Sequence, residues 1–145
     1  MNEELLNKLK LFFDQRATEY GVDLVFLYGS WARGYPRPDS DIDLSVTFSR
    51  PLPEDQMFEI INKLSLVLTG ELGREVNIIS IFPDFRKPML YYNAIVLGKL
   101  LYARSTDKYA QFMVEAINQM EDFSIFGTNW QLEAAARNLE EVKHG

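Results

Sequence analysis

Leu5, Leu6, Leu9, Phe12 and Phe13 recur at three- and four-residue intervals, the spacing of one helix face, which predicts an amphipathic helix over 3–19 ending near Gly21. The pattern then changes. "VDLVFLYG" is rich in apolar and aromatic residues and closed by Gly29, as expected of a buried strand. "SWARG" has room for one helical turn, and the prolines of "YPRPDS" predict a loop. In "DIDLSVTF" polar and apolar positions alternate, the period of a strand.

Pro51 and Pro53 interrupt the chain before a helix expected over 54–69, where Met57, Ile60, Ile61, Leu64 and Leu68 share a face. "REVNIISIF" predicts a third strand. "KPMLYYNAIVLGK" predicts a helix with Pro88 near its start and Gly98 as its stop, and "LLYAR" a short strand. Residues 106–121 and 130–143 have helical periodicity, separated by the aromatic turn "DFSIFGTNW". This order implies an α/β (α+β) chain: a small mixed β-sheet with helices packed on one side, followed by C-terminal helices. A single domain is expected, with a core over about 20–104 and a helical extension over about 105–145.

Composition narrows the function classes. At 145 residues one domain with a sound core is expected. No apolar run is long enough to span a bilayer, the charged start "MNEELLNKLK" has no signal-peptide core, and there are no cysteines; a cytoplasmic protein fits these features. The net charge of −6, with 15 basic residues scattered among 21 acidic ones, argues against gripping extended nucleic acid, which calls for a basic stripe. A small anion remains compatible, because local donors and metal ions outweigh the global field. The single histidine, His144, lies in the terminal "KHG", so histidine acid–base or nucleophilic chemistry is not expected.

The candidate chemistry lies in "LYGSWARGYPRPDSDIDLSV". A strand that ends in Gly29-Ser30 and turns into a helical start presents backbone N–H groups and a hydroxyl, donors suited to phosphate oxygens. Gly29 lets the ligand approach the backbone, and Arg33 is placed to add a charge-assisted contact. In the next strand Asp41 and Asp43 stand at i and i+2, on one face, while Ile42 and Leu44 face the core. Two carboxylates so placed repel unless cations lie between them, and Mg²⁺ favours carboxylate, phosphate and water oxygens. Gly-Ser on one strand and Asp-x-Asp on its neighbour set a triphosphate against two Mg²⁺ ions, as in phosphoryl or nucleotidyl transfer. The bland alternative is a solvated turn, with Arg33 an ordinary surface arginine and Ser40 a turn or capping residue rather than a nucleotide contact.

Gly29-Ser30, ten intervening residues and Asp41-x-Asp43 resemble the signature of the DNA polymerase β-like nucleotidyltransferase superfamily. The spelling "GSWARG" and "SDIDL" is similar to that of its minimal nucleotidyltransferases, the MNT proteins. The resemblance implies a polymerase β-like fold, ATP as substrate with Mg²⁺, and transfer of AMP to a hydroxyl, a tyrosine of a HEPN ribonuclease toxin, by an MNT-type antitoxin. It also implies a third metal carboxylate on the following strand. The matching position there is Asn77, which offers a carbonyl oxygen to a cation but is no general base. Glu75, two residues earlier on the same face, would substitute through its longer reach. Three functions follow: an adenylyltransferase antitoxin using Asp41, Asp43 and Glu75; an antitoxin that neutralises its toxin by contact; and an aminoglycoside-type small-molecule transferase. A heterocomplex with a HEPN toxin and a homodimer both remain open.

Overall fold

The computed structural model of the chain describes residues 2–33, 41–82 and 87–121. The expected loop at "YPRPDS", the aromatic turn and the helix over 130–143 lie outside them. Eight elements follow one another as α1 (Asn2–Tyr20), β1 (Val22–Tyr28), α2 (Ser30–Arg33), β2 (Ile42–Phe48), α3 (Glu54–Leu72), β3 (Val76–Ser80), α4 (Pro88–Ile95) and β4 (Lys99–Ala103). Residues 106–121 form a further helix, α5. The four strands make one mixed sheet in the order β3-β2-β1-β4. β1 is antiparallel to both β2 and β4, and β2 is parallel to β3, with α3 as the crossover that a parallel pair requires.

The mixed sheet and the α+β class agree with expectation; the one-sided packing of helices does not. Val25 and Leu27 of β1, with Ile42, Leu44 and Val46 of β2, pack against Leu9 and Phe13 of α1 and Leu64 and Leu68 of α3. Leu24 and Phe26 face the opposite way and join Tyr91 and Ile95 of α4 and Ala116 of α5. All four residues from Leu24 to Leu27 are at most 1% exposed. A strand apolar at successive positions has two faces to bury, so it needs a layer on each side.

Two helix ends also depart from expectation. α3 runs through Gly70 to Leu72, and Gly73 (φ 68°) caps it in the left-handed region, its N–H donating to the Thr69 carbonyl. The end of α3 is then tied to β3: the Thr69 hydroxyl accepts from the Val76 N–H at 3.2 Å, and the Ser65 hydroxyl donates to the Val76 carbonyl. α4 stops at Ile95, short of Gly98. The role of Gly98 is close approach, because a Cβ there would run into the carbonyls of both Ala94 and Leu27. Among the described residues no helix is long and apolar enough to cross a membrane.

Candidate functional site

Ile42, Leu44 and Val46 are fully buried in the core under α1 and α3, so strand alternation turns Asp43 to the other face, with Asp41 two residues before it. Asp43 lies opposite Tyr28 on β1 and opposite Asn77 on β3. Partial burial raises the Asp43 carboxyl above the ordinary carboxylate range; the Asn77 side chain opposes this and the negative charge of Asp41 reinforces it. Burial, with Asp43 adding to it, pushes the Tyr28 hydroxyl up to about 12. At neutral pH Tyr28 is therefore a hydrogen-bonding group and not a base.

Gly29 follows Tyr28 with φ 75°, and its missing Cβ leaves the space that the Asp43 carboxylate occupies. This is a second reason for glycine besides ligand approach, and it locks the Gly-Ser turn against the aspartates. Ser30 opens α2 directly after Gly29. α2 is anchored by Trp31, which is 4% exposed and belongs to the α1–α3 core. The Arg74 guanidinium lies 4.9 Å from the Trp31 ring centroid, a cation–π contact that holds the approach to β3 beside α2. Arg33 closes α2; its side chain and Ser40 lie outside the described structure.

Asn77 reaches the pair, as its place in the parallel register requires. Its amide Nδ2 donates to Asp41 Oδ2 at 3.2 Å. Glu75 is exposed, and its backbone carbonyl accepts from the Ile42 N–H at 2.9 Å. Among the described residues no three acidic, histidine or cysteine side chains come together as a metal-binding group. The structure thus brings Asp41, Asp43, Asn77, Gly29 and Ser30 to one end of the sheet without adding the Glu75 carboxylate to the pair.

Beside Gly29 is an open cavity of about 210 Å³, walled by Tyr28, Gly29 and Ala32 on one side and Leu90, Asn93 and Leu97 on the other. The α4 residues were not legible as site residues, since they read as a helix stripe. The signal lay in Gly98, whose contact with the Leu27 carbonyl seats the end of α4 against the end of β1. Lys99, opposite Leu27 in the register, brings a cation to this same end.

The oxygen donors suit a hard divalent cation. Asp41 and Asp43 supply two carboxylates, and the Asn77 amide, rotated, would turn its carbonyl oxygen toward the same point in place of Nδ2. That set leaves positions for phosphate and water oxygens, the mixture Mg²⁺ prefers.

No curated protein matches the sequence. Several solved structures resemble the fold. One, described as a toxin–antitoxin with AMP-PNP, has a TM-score of 0.67 and 18% identity over 87% of this chain and 98% of that one. Another is a tri-AMPylated Shewanella oneidensis HEPN toxin in complex with MNT antitoxin, with a TM-score of 0.62 and 18% identity over 93% and 99% of the two chains. A third, the toxin–antitoxin MntA-HepT, has a TM-score of 0.60 and 19% identity over 92% and 97%. In sequence, residues 7–107 match the family described as Polymerase beta, Nucleotidyltransferase. That stretch holds the whole Gly-Ser and Asp-x-Asp arrangement together with all four strands, and the chain belongs to the polymerase beta nucleotidyltransferase family.

Proposed function

We propose that this chain is an MNT-type antitoxin that transfers AMP from ATP to a hydroxyl, a tyrosine, of a HEPN ribonuclease toxin in the cytoplasm, in complex with that toxin. The observation that carries this reading is the convergence of Asp41 and Asp43 on Gly29 and Ser30 at one end of the sheet. The solved complexes described as AMP-PNP-bound and as tri-AMPylated support it. Asp41 and Asp43 would hold Mg²⁺, with the Asn77 carbonyl as an auxiliary oxygen. A metal held there would supply charge neutralisation on the triphosphate as pyrophosphate leaves. The Gly29 backbone and the Ser30 hydroxyl fix the phosphates, and the cavity between Tyr28 and Leu97 has room for part of the nucleotide. Asn77 takes no proton from the acceptor, so that task falls to Glu75 after reorientation or to a group carried by the acceptor.

A second reading is favoured by one contact. The Asn77 amide donates to the Asp41 carboxylate, as suits a site that has lost its third carboxylate and an antitoxin that acts by binding alone. Intact mass of the HEPN partner after incubation with this chain, ATP and Mg²⁺ separates the two. An AMP-sized increment that disappears with Asp41→Asn and Asp43→Asn is expected, and Asn77→Asp should speed its appearance about tenfold or more. A tight complex with no increment from either the native chain or Asn77→Asp would establish the contact antitoxin instead.

A further inference from the structure

The opposite end of the sheet carries groups for which the proposed transfer has no use. β1 begins there and β2 and β4 end there, so the length of β2 sets it about 20 Å from Asp43. Two recesses adjoin at that end. One, of about 360 Å³, is lined by Thr18, Gly21, Val22, Ser49, Arg50 and Arg104. The other, of about 280 Å³, shares Ser49 and Arg50 but is walled mainly by apolar groups, among them Pro51, Met57, Ile81 and Phe112.

Three cations gather here in a chain of net charge −6, and they are not equivalent. Lys108 is committed: its Nζ pairs with Asp23 and also donates to the Phe48 carbonyl at 3.4 Å. The Arg104 guanidinium makes one long contact among the described residues, from Nη1 to the Ser49 hydroxyl at 3.4 Å. Arg50 has no hydrogen-bond or ion-pair partner among the described residues. Among the described residues no acidic side chain lines either recess. Two guanidinium groups thus face one space with most of their donors unused, next to an apolar groove. The Ser80 hydroxyl in that groove has the Met57 sulfur as its partner at 3.6 Å, a weak acceptor that a ligand oxygen or nitrogen would replace.

We propose that this end of the sheet is a second ligand site, for a small ring-bearing phosphate monoester. The phosphate is held between Arg50 and Arg104, whose planar donor forks match its terminal oxygens, and the ring lies in the groove against Met57, Pro51 and Phe112. The site is independent of the transfer chemistry, since among the described residues none in it contacts Asp41 or Asp43. Its ligand could be a free nucleoside monophosphate or a phosphorylated tyrosine side chain, which share this chemistry.

The test uses the full chain carrying Asp41→Asn and Asp43→Asn, without divalent cations, so that the family's nucleotide site is disabled. Phenyl phosphate is titrated by isothermal calorimetry. One-to-one saturation is expected, weakened about tenfold or more by Arg50→Gln with Arg104→Gln. The distant Arg16→Gln should change nothing, and circular dichroism checks that each variant is folded. Titration with AMP and with O-phosphotyrosine amide then identifies the source, the tighter one naming it. Three results would overturn the assignment: no saturable binding, binding that survives the paired arginine substitution, or inorganic phosphate binding as tightly as phenyl phosphate.

Discussion

At Gly29 one missing carbon atom shapes the site. The backbone there has φ 75°, and the Asp43 carboxylate fills the place a Cβ would take. Gly29→Ala should therefore cost about 1–3 kcal/mol of stability from left-handed strain and displacement of Asp43, and should abolish binding of an ATP analogue. Urea unfolding and calorimetric titration check the two parts separately. Asp43 itself carries a pH signature. Its carboxyl is held above the ordinary range chiefly by burial, so the folded chain binds that proton more tightly than the unfolded one. The stability this contributes is present below the unfolded pKa of about 4 and is lost as the pH rises through the raised value. Without divalent cations, Asp43→Asn should melt above the native chain at pH 7, with the difference closing toward pH 3; equal melting curves at pH 7 would count against this account. The residue-scale motif was largely legible, because alternation alone places Asp41 and Asp43 on one face. That Asn77 bonds to Asp41 while Glu75 stands apart was not legible, since both share the parity of that strand.

Among the elements, α5 is fastened to the sheet by a polar contact as well as by Ala116. Asp23, 6% exposed on β1, pairs with Lys108 and accepts from the Ser49 hydroxyl at 3.3 Å. Lys108→Met leaves that carboxylate buried without its cation and should destabilise the chain by about 2 kcal/mol, discounted from a fully buried pair because Lys108 is partly exposed. Adding Asp23→Asn should restore much of the loss, which a double-mutant cycle in urea would show as a coupling of about 1 kcal/mol or more. No such partnership was readable beforehand: 85 residues separate Asp23 from Lys108, and nothing in either segment points to the other. Most elements themselves were readable, since period and punctuation are local. Their ends were less so. Gly98 looks like a helix stop, yet it is a glycine because two carbonyls crowd it.

Over the whole molecule the sheet has a chemically different end on each side. Asp41, Asp43 and the Gly-Ser turn meet where β1 ends and β2 begins, while Arg50 and Arg104 stand where β1 begins and β2 ends. An antiparallel β1–β2 pair creates this separation automatically, because residues close to one turn are far from the other. The sequence by itself determined the elements, the α+β class, the strand alternation that pairs Asp41 with Asp43, and the Gly-Ser and Asp-x-Asp spacing, because each depends on neighbours within a few positions. Tertiary structure decided that Asn77 and not Glu75 meets the aspartates, that α4 walls the cavity beside Gly29, and that Arg50 and Arg104 share a recess. Those outcomes depend on strand order, register and layer packing, which join residues far apart in the chain and leave no periodic trace in it.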